Sequence, residues 1–136
     1  MIRRSFAAAA LLISAPLLSP ATALAQAANA KPTPATAMEV NTYGVMSIAT
    51  FCEARAQKID FNKSLAVALA GQLHVIYGKH GGLLPGSSTK LPEKQFLNNA
   101  GFMIVGGALK FCPQSVPAAE KARFEKAAAS LKPAKK

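Results

Sequence analysis

The sequence predicts an all-α protein: a small four-helix domain with one disulfide, after a cleaved signal peptide and a disordered linker. The expectation rests on three features. Apolar residues recur at helical spacing in four segments, and no alternation runs long enough to seed a sheet. The chain holds only two cysteines, Cys52 and Cys112. Its start reads as an export leader, which places those cysteines in an oxidising compartment.

Residues 1–25 have the three parts of a secretory signal. Arg3 and Arg4 form a basic start, Phe6 to Leu18 an apolar stretch too short to span a bilayer, and Ala23-Leu24-Ala25 a cleavage site. Arg3-Arg4-Ser5-Phe6 also matches the core of a twin-arginine signal, so both export routes stay open. The expected destination is the periplasm, the thylakoid lumen or the extracellular space. Residues 26–41 are rich in Ala, Pro, Thr and Lys with little to bury, and read as a disordered linker. The helical domain is expected over 42–132, followed by a basic tail at 133–136.

The first helix is expected from Thr42 to Lys58, with Val45, Ile48, Cys52 and Ile59 near one face, Ala49 and Ala56 beside them and Phe51 close by. Asp60 reads as the N-cap of a second helix, Phe61 to Tyr77, whose stripe is Phe61, Leu65, Leu69, Leu73 and Ile76. Gly78, Gly81 and Gly82 end it, and Lys79 to Leu91 form a loop. A third helix starts near Pro92 and stops at Phe111, before Pro113. Its stripe is Phe96, Leu97, Ala100, Ile104, Gly107, Ala108 and Phe111, and Phe102 to Leu109 is apolar all round, as at the centre of a fold. Ser115 reads as the cap of a short fourth helix that buries Val116, Phe124, Ala128 and Leu131, with Glu120–Arg123 and Lys121–Glu125 pairs on its outer side.

An even pair of cysteines in an exported chain reads as one disulfide, here Cys52 to Cys112. A redox-active pair is the alternative, though such pairs usually sit close together, as in C-x-x-C.

Few residues are available for chemistry. The two histidines, His74 and His80, lack the i, i+4 spacing of a helical zinc site. His80-Gly81-Gly82 resembles the start of an oxyanion-hole loop but has no G-x-S-x-G partner. The six acids, Glu39, Glu53, Asp60, Glu93, Glu120 and Glu125, form no evident acid–base pair. No catalytic constellation, metal site or cofactor motif is expected. The charge is +10, from 16 Lys and Arg against 6 Asp and Glu. Such a surface attracts acidic partners. With two arginines beyond the leader, no aromatic interleaving and an export signal, nucleic acid is not an expected partner.

Several segments together resemble a group of small exported helical proteins of cyanobacteria: Phe51-Cys52-Glu53-Ala54-Arg55, Asp60-Phe61, Lys79-His80-Gly81-Gly82, and Cys112-Pro113 with Val116-Pro117. The resemblance covers roughly residues 48 to 125. Some of these proteins are labelled class II cyclic-AMP phosphodiesterases, which implies a metallohydrolase with clustered His and Asp ligands. This chain has two histidines and no such cluster in its sequence.

The leading expectation is therefore an exported interaction or structural protein that binds an acidic protein complex or an anionic membrane surface. Lys79, His80, Gly81, Gly82 and Lys90 form its contact loop. The alternative is a carrier of a small apolar ligand, held between helices two and three beside Ala70, Gly101 and Gly106. An enzyme is the third reading.

Overall fold

A computed structural model describes residues 31–131. The expected signal peptide, the first residues of the expected linker and the basic tail lie outside the described residues. Four α-helices follow one another: α1 (Ala37–Ala56), α2 (Phe61–Gly78), α3 (Glu93–Phe111) and α4 (Ala118–Ser130), with a 3-10 turn at Pro113–Ser115 before α4. There is no strand among the described residues, and no helix there is long and apolar enough to cross a membrane. The all-α reading therefore holds.

α1 starts five residues before the expected Thr42, inside the segment read as linker. Thr36 forms a capping box: its hydroxyl accepts the Glu39 N–H at 3.2 Å, and the Glu39 carboxylate accepts the Thr36 N–H at 2.9 Å. Ala35, just before the cap, is fully buried, and its N–H donates to the Leu83 carbonyl at 3.0 Å. α1 also stops at Ala56, two residues short of expectation, and Lys58 turns the chain at φ +63°. Arg55 fixes this corner: Nε donates to the Ser115 carbonyl at 2.8 Å and a guanidinium N–H to the Ile59 carbonyl at 2.6 Å.

α2 begins as expected, with the Asp60 carboxylate accepting the N–H groups of Asn62 and Lys63 at 2.9 and 3.2 Å. α3 ends as expected at Phe111, and Cys52 is disulfide-bonded to Cys112 across a separation of 60 residues. Ser115 does not cap α4. It lies in the 3-10 turn, Pro117 occupies the cap position, and no side chain caps that helix.

The core has two neighbouring clusters. One gathers Phe51, Phe61, Ala68, Ile104, Val105, Ala108, Cys112 and Val116, with Phe51 and Phe61 meeting edge-on at 5.5 Å. The other gathers Ala35, Ile76, Phe96 and Ala100. Helix faces are turned from their expected positions. On α1 the buried residues are Ser47 and Phe51, whereas Val45 is 54% exposed, and Ile59 lies outside the helix and is exposed. On α2 the buried line is Phe61, Ser64, Ala68, Gln72 and Ile76, with the expected Leu65, Leu69 and Leu73 half-buried at its edge. On α3 the expected Phe96, Ala100, Ile104 and Ala108 are buried, but Phe111 faces solvent, as does Met103 in the stretch expected to be buried all round. α4 lies on the surface: Phe124 stacks on Phe102 at 4.5 Å, Leu131 is exposed, and the two expected ion pairs form at 2.9 and 3.9 Å.

Gly107 lets α1 and α3 approach closely, since a Cβ there would collide with the Ile48 side chain. That contact seals the α1–α3 seam on the side of the disulfide. Further toward the start of both helices the seam opens.

Candidate ligand-binding cavity

The opening in the seam is a cavity of about 450 Å³. Val40, Gly44, Val45 and Ile48 of α1 form one wall, and Phe96, Ala100, Met103 and Ile104 of α3 the opposite one. Leu84, Pro85 and Leu91 of the loop close one side, and Gln72 of α2 borders it. The exposure of Val45 and Met103 follows from this: both stand on the cavity wall instead of against a neighbouring helix. The volume lies within the roughly 300–1,000 Å³ range of small-molecule sites. No Lys, Arg, His, Asp or Glu lines it; Asn41, Gln72 and Asn99 are its polar side chains.

Two residues of this cavity are unusual for their positions. Gly44 lies inside α1, where glycine costs up to about 1 kcal/mol relative to alanine. No packing contact requires it, because a Cβ there would meet nothing within 4 Å. The position faces open space, as do Gly71 and Gly78 of α2. Gln72 is 8% exposed, and its Oε1 is buried without a hydrogen-bond partner. Other buried polar groups are satisfied: Ser47 donates to the Tyr43 carbonyl at 2.9 Å and Ser64 to the Asp60 carbonyl at 2.9 Å. An orphaned buried acceptor costs about 1–3 kcal/mol. Gln72 also borders a second cavity of about 220 Å³ on the other flank of α1, lined by Tyr43, Ser47, Val67 and Gly71.

The loop wall is held by residues expected to make outside contacts. His80 is 1% exposed. Its Nδ1 lies 3.0 Å from the Thr33 carbonyl and its Nε2 3.2 Å from Tyr43 Oη. With Nδ1–H donating to that carbonyl, Nε2 accepts from the tyrosine hydroxyl. Lys79 Nζ is 2.7 Å from Glu39 Oε1 and donates to Tyr43 Oη at 3.2 Å. Hydrogen bonds from Lys79, then from the Thr36 backbone N–H and the Thr36 hydroxyl, hold the Glu39 carboxyl down at about 2, from its ordinary 4.5. The same ion pair raises Lys79 above its usual range. Gly82 is buried at φ +78°, pressed against Tyr77 and Lys90, and its carbonyl accepts the Leu91 N–H at 3.0 Å. Tyr77 donates to the Leu91 carbonyl at 2.6 Å, and Lys90 Nζ stands 5.2 Å from the centre of its ring. Burial and, less strongly, the charge of Glu93 raise the Tyr77 hydroxyl pKa.

Of the five loop residues, then, Lys79 and Lys90 face solvent, Gly81 is half-buried, and His80 and Gly82 are buried. They clamp the loop so that Leu84, Pro85 and Leu91 reach the cavity. The expected groove residues are not brought together. Gly101 lines a separate groove of about 470 Å³ between α2, α3 and α4, beside the Glu120–Arg123 pair. Gly106 lies under Phe124, and Ala70 is exposed on α2. Sequence reasoning missed Gln72 and Gly44. The spacing Ala68, Gln72, Ile76 places Gln72 on one helix face; nothing in it reveals that the amide is unpartnered.

No group of three or more His, Cys, Asp or Glu among the described residues is placed to hold a metal ion. The family profile described as a domain of unknown function (DUF8650) matches residues 38–136, nearly three quarters of the chain. The chain belongs to the DUF8650 family. Comparison with curated proteins and with solved structures finds no match. In this DUF8650 domain the matched region takes in all four helices apart from Ala37, and with them both cysteines and the α1 and α3 walls of the cavity from Val40 onward.

Proposed function

We propose that this domain carries a small apolar molecule between α1 and α3, in a compartment outside the cytoplasm. The supporting observation is the cavity of about 450 Å³, with a helix glycine in its wall that packing does not require. The site differs from the one expected between α2 and α3, while the class of ligand is the same. The leader-like start and the Cys52–Cys112 disulfide support an oxidising, exported location.

Replacing Gly44 by Leu tests the reading, because the new side chain has room to enter the cavity. The neutral dye N-phenyl-1-naphthylamine is the probe. The natural chain is expected to bind it saturably with a rise in fluorescence, and Gly44→Leu to lose that binding while its melting temperature stays level or rises. Absence of binding by the natural chain, or undiminished binding by the variant, sinks the proposal.

Charge favours a second reading, the expected interaction with an acidic surface. Glu39, Glu120 and Glu125 are engaged by Lys79, Arg123 and Lys121, and Asp60 by the α2 cap. Lys58, Lys63, Lys94, Lys110 and Lys126 are exposed and have no acidic partner within ion-pair distance among the described residues. Retention on anionic vesicles that salt abolishes and Gly44→Leu leaves unchanged belongs to that surface and not to the cavity.

A further inference from the structure

We propose that the outer side of the α1–α3 seam docks on an anionic bilayer, so that the apolar molecule passes between the cavity and the hydrocarbon without crossing water. The proposal rests on the cavity reading and adds to it the partner that supplies and receives the molecule.

The rim of the cavity is apolar and open to solvent. Val45 of α1 and Met103 of α3 line the cavity and are 54% and 67% exposed. Met38 stands seven residues before Val45, hence on the same side of α1, and is more exposed than either. Phe111, the last residue of α3, also faces solvent. Charge is absent from the middle of both helices: α1 carries none from Val40 to Cys52, and α3 none from Gln95 to Leu109. Cations stand at the ends. Lys94 lies in the first turn of α3, Lys110 lies seven residues after Met103 and on its side, and Lys58 follows the end of α1. All three are exposed and have no acidic partner within ion-pair distance among the described residues.

This pattern suits a membrane interface, where apolar side chains enter the acyl boundary and lysine stems reach the phosphate headgroups. Charge decides between this occupant and two others. An acidic protein would set its carboxylates against a face whose centre holds no cation. A second copy would bring together two chains with 16 Lys and Arg against 6 Asp and Glu each, and these repel. An anionic bilayer offers hydrocarbon at the centre and negative charge at the margin.

The chain has no tryptophan, so a single introduced one reports depth. Vesicles of equal parts phosphatidylcholine and phosphatidylglycerol are expected to shift the emission of Met103→Trp to the blue. Val67→Trp, beside the cavity on the other flank of α1, is expected to stay unshifted. Two matched double variants measure the contribution of the rim. Val45→Gln with Met103→Gln is expected to weaken vesicle binding by roughly tenfold or more, and Met46→Gln with Val67→Gln to leave it unchanged. All four positions are more than half exposed, so both double variants should melt with the natural chain. An unshifted Met103→Trp, or equal loss in the two double variants, overturns the proposal. So does binding that salt abolishes outright, which the lysines alone explain. A natural chain that sediments as a dimer, with the Val45 and Met103 double variant a monomer, also overturns it, because a second copy then covers the face. These outcomes leave the cavity reading standing, since dye binding without vesicles decides it. Absence of dye binding removes the carried molecule, and the exchange with it, whatever the vesicles show.

Discussion

Glu39 works in two places at once. One carboxylate oxygen closes the Thr36 cap and the other meets Lys79, which also donates to the tyrosine that holds His80. Its carboxyl lies at about 2 in the fold against 4.5 ordinarily, so ionised Glu39 stabilises the fold. Because the folded value is the lower one, that contribution is complete above about pH 4.5 and is lost as the pH falls toward 2. Melting temperatures measured across this interval should fall for the natural chain and fall less for Glu39→Gln. An identical acid limb in both would show that the Glu39 bonds do not stabilise the fold. His80 shows why such residues are hard to find in a sequence. Its partners, Tyr43 and Thr33, lie 37 and 47 residues away, and a histidine between a helix end and two glycines reads as a turn residue until they are placed.

The helices divide into features that are local in sequence and features set by a neighbour. The Asp60 cap, the stop before Pro113 and the apolar period of α3 are local, and the structure repeats them. The start of α1 is local too: Thr36 and Glu39 form a capping box, overshadowed by the prolines and alanines before it. The direction of each apolar face is not local. On α2 the small and polar Ser64, Ala68 and Gln72 are more deeply buried than the leucines beside them, because helices pack closely where side chains are small. The helix glycines separate in the same way. Gly44→Ala is expected to stabilise the domain by about 0.5–1 kcal/mol, since a methyl group fits there without contact. Gly107→Ala is expected to destabilise it by about 1–3 kcal/mol, since its methyl group meets Ile48 on the facing helix. Chemical denaturation of the two variants measures both, and similar shifts would contradict the assigned seam.

Across the whole molecule, one covalent bond ties the first helix to the end of the third. Closing 60 residues removes unfolded-state freedom equivalent to roughly 4 kcal/mol in the chain-entropy description. That is a large share of the net stability of a domain this size. Replacing both cysteines by serine should lower the unfolding free energy by a few kcal/mol, and denaturation under reducing conditions should reproduce the loss in the natural chain. Equal stability with and without reductant would deny the bond its role. The cysteine pairing was legible because the sequence offers no other pair. The cavity was not, since it arises from two helices that meet at Gly107 and part at Gly44.

The position of the disulfide has a mechanical consequence for that cavity. Cys52 and Cys112 lie at the last turns of α1 and α3, and the cavity lies between their first halves. The two helices are thus like tongs riveted at one end. A rivet there resists sliding along the rods far more than it resists spreading of the tips. The tips are joined by the clasp of Thr36, Glu39, Tyr43, Lys79 and His80, by the loop beneath it, and by the core cluster of Ala35, Ile76, Phe96 and Ala100. In the proposed carrier role, guests that differ in length would meet a stop where Ile48 closes on Gly107.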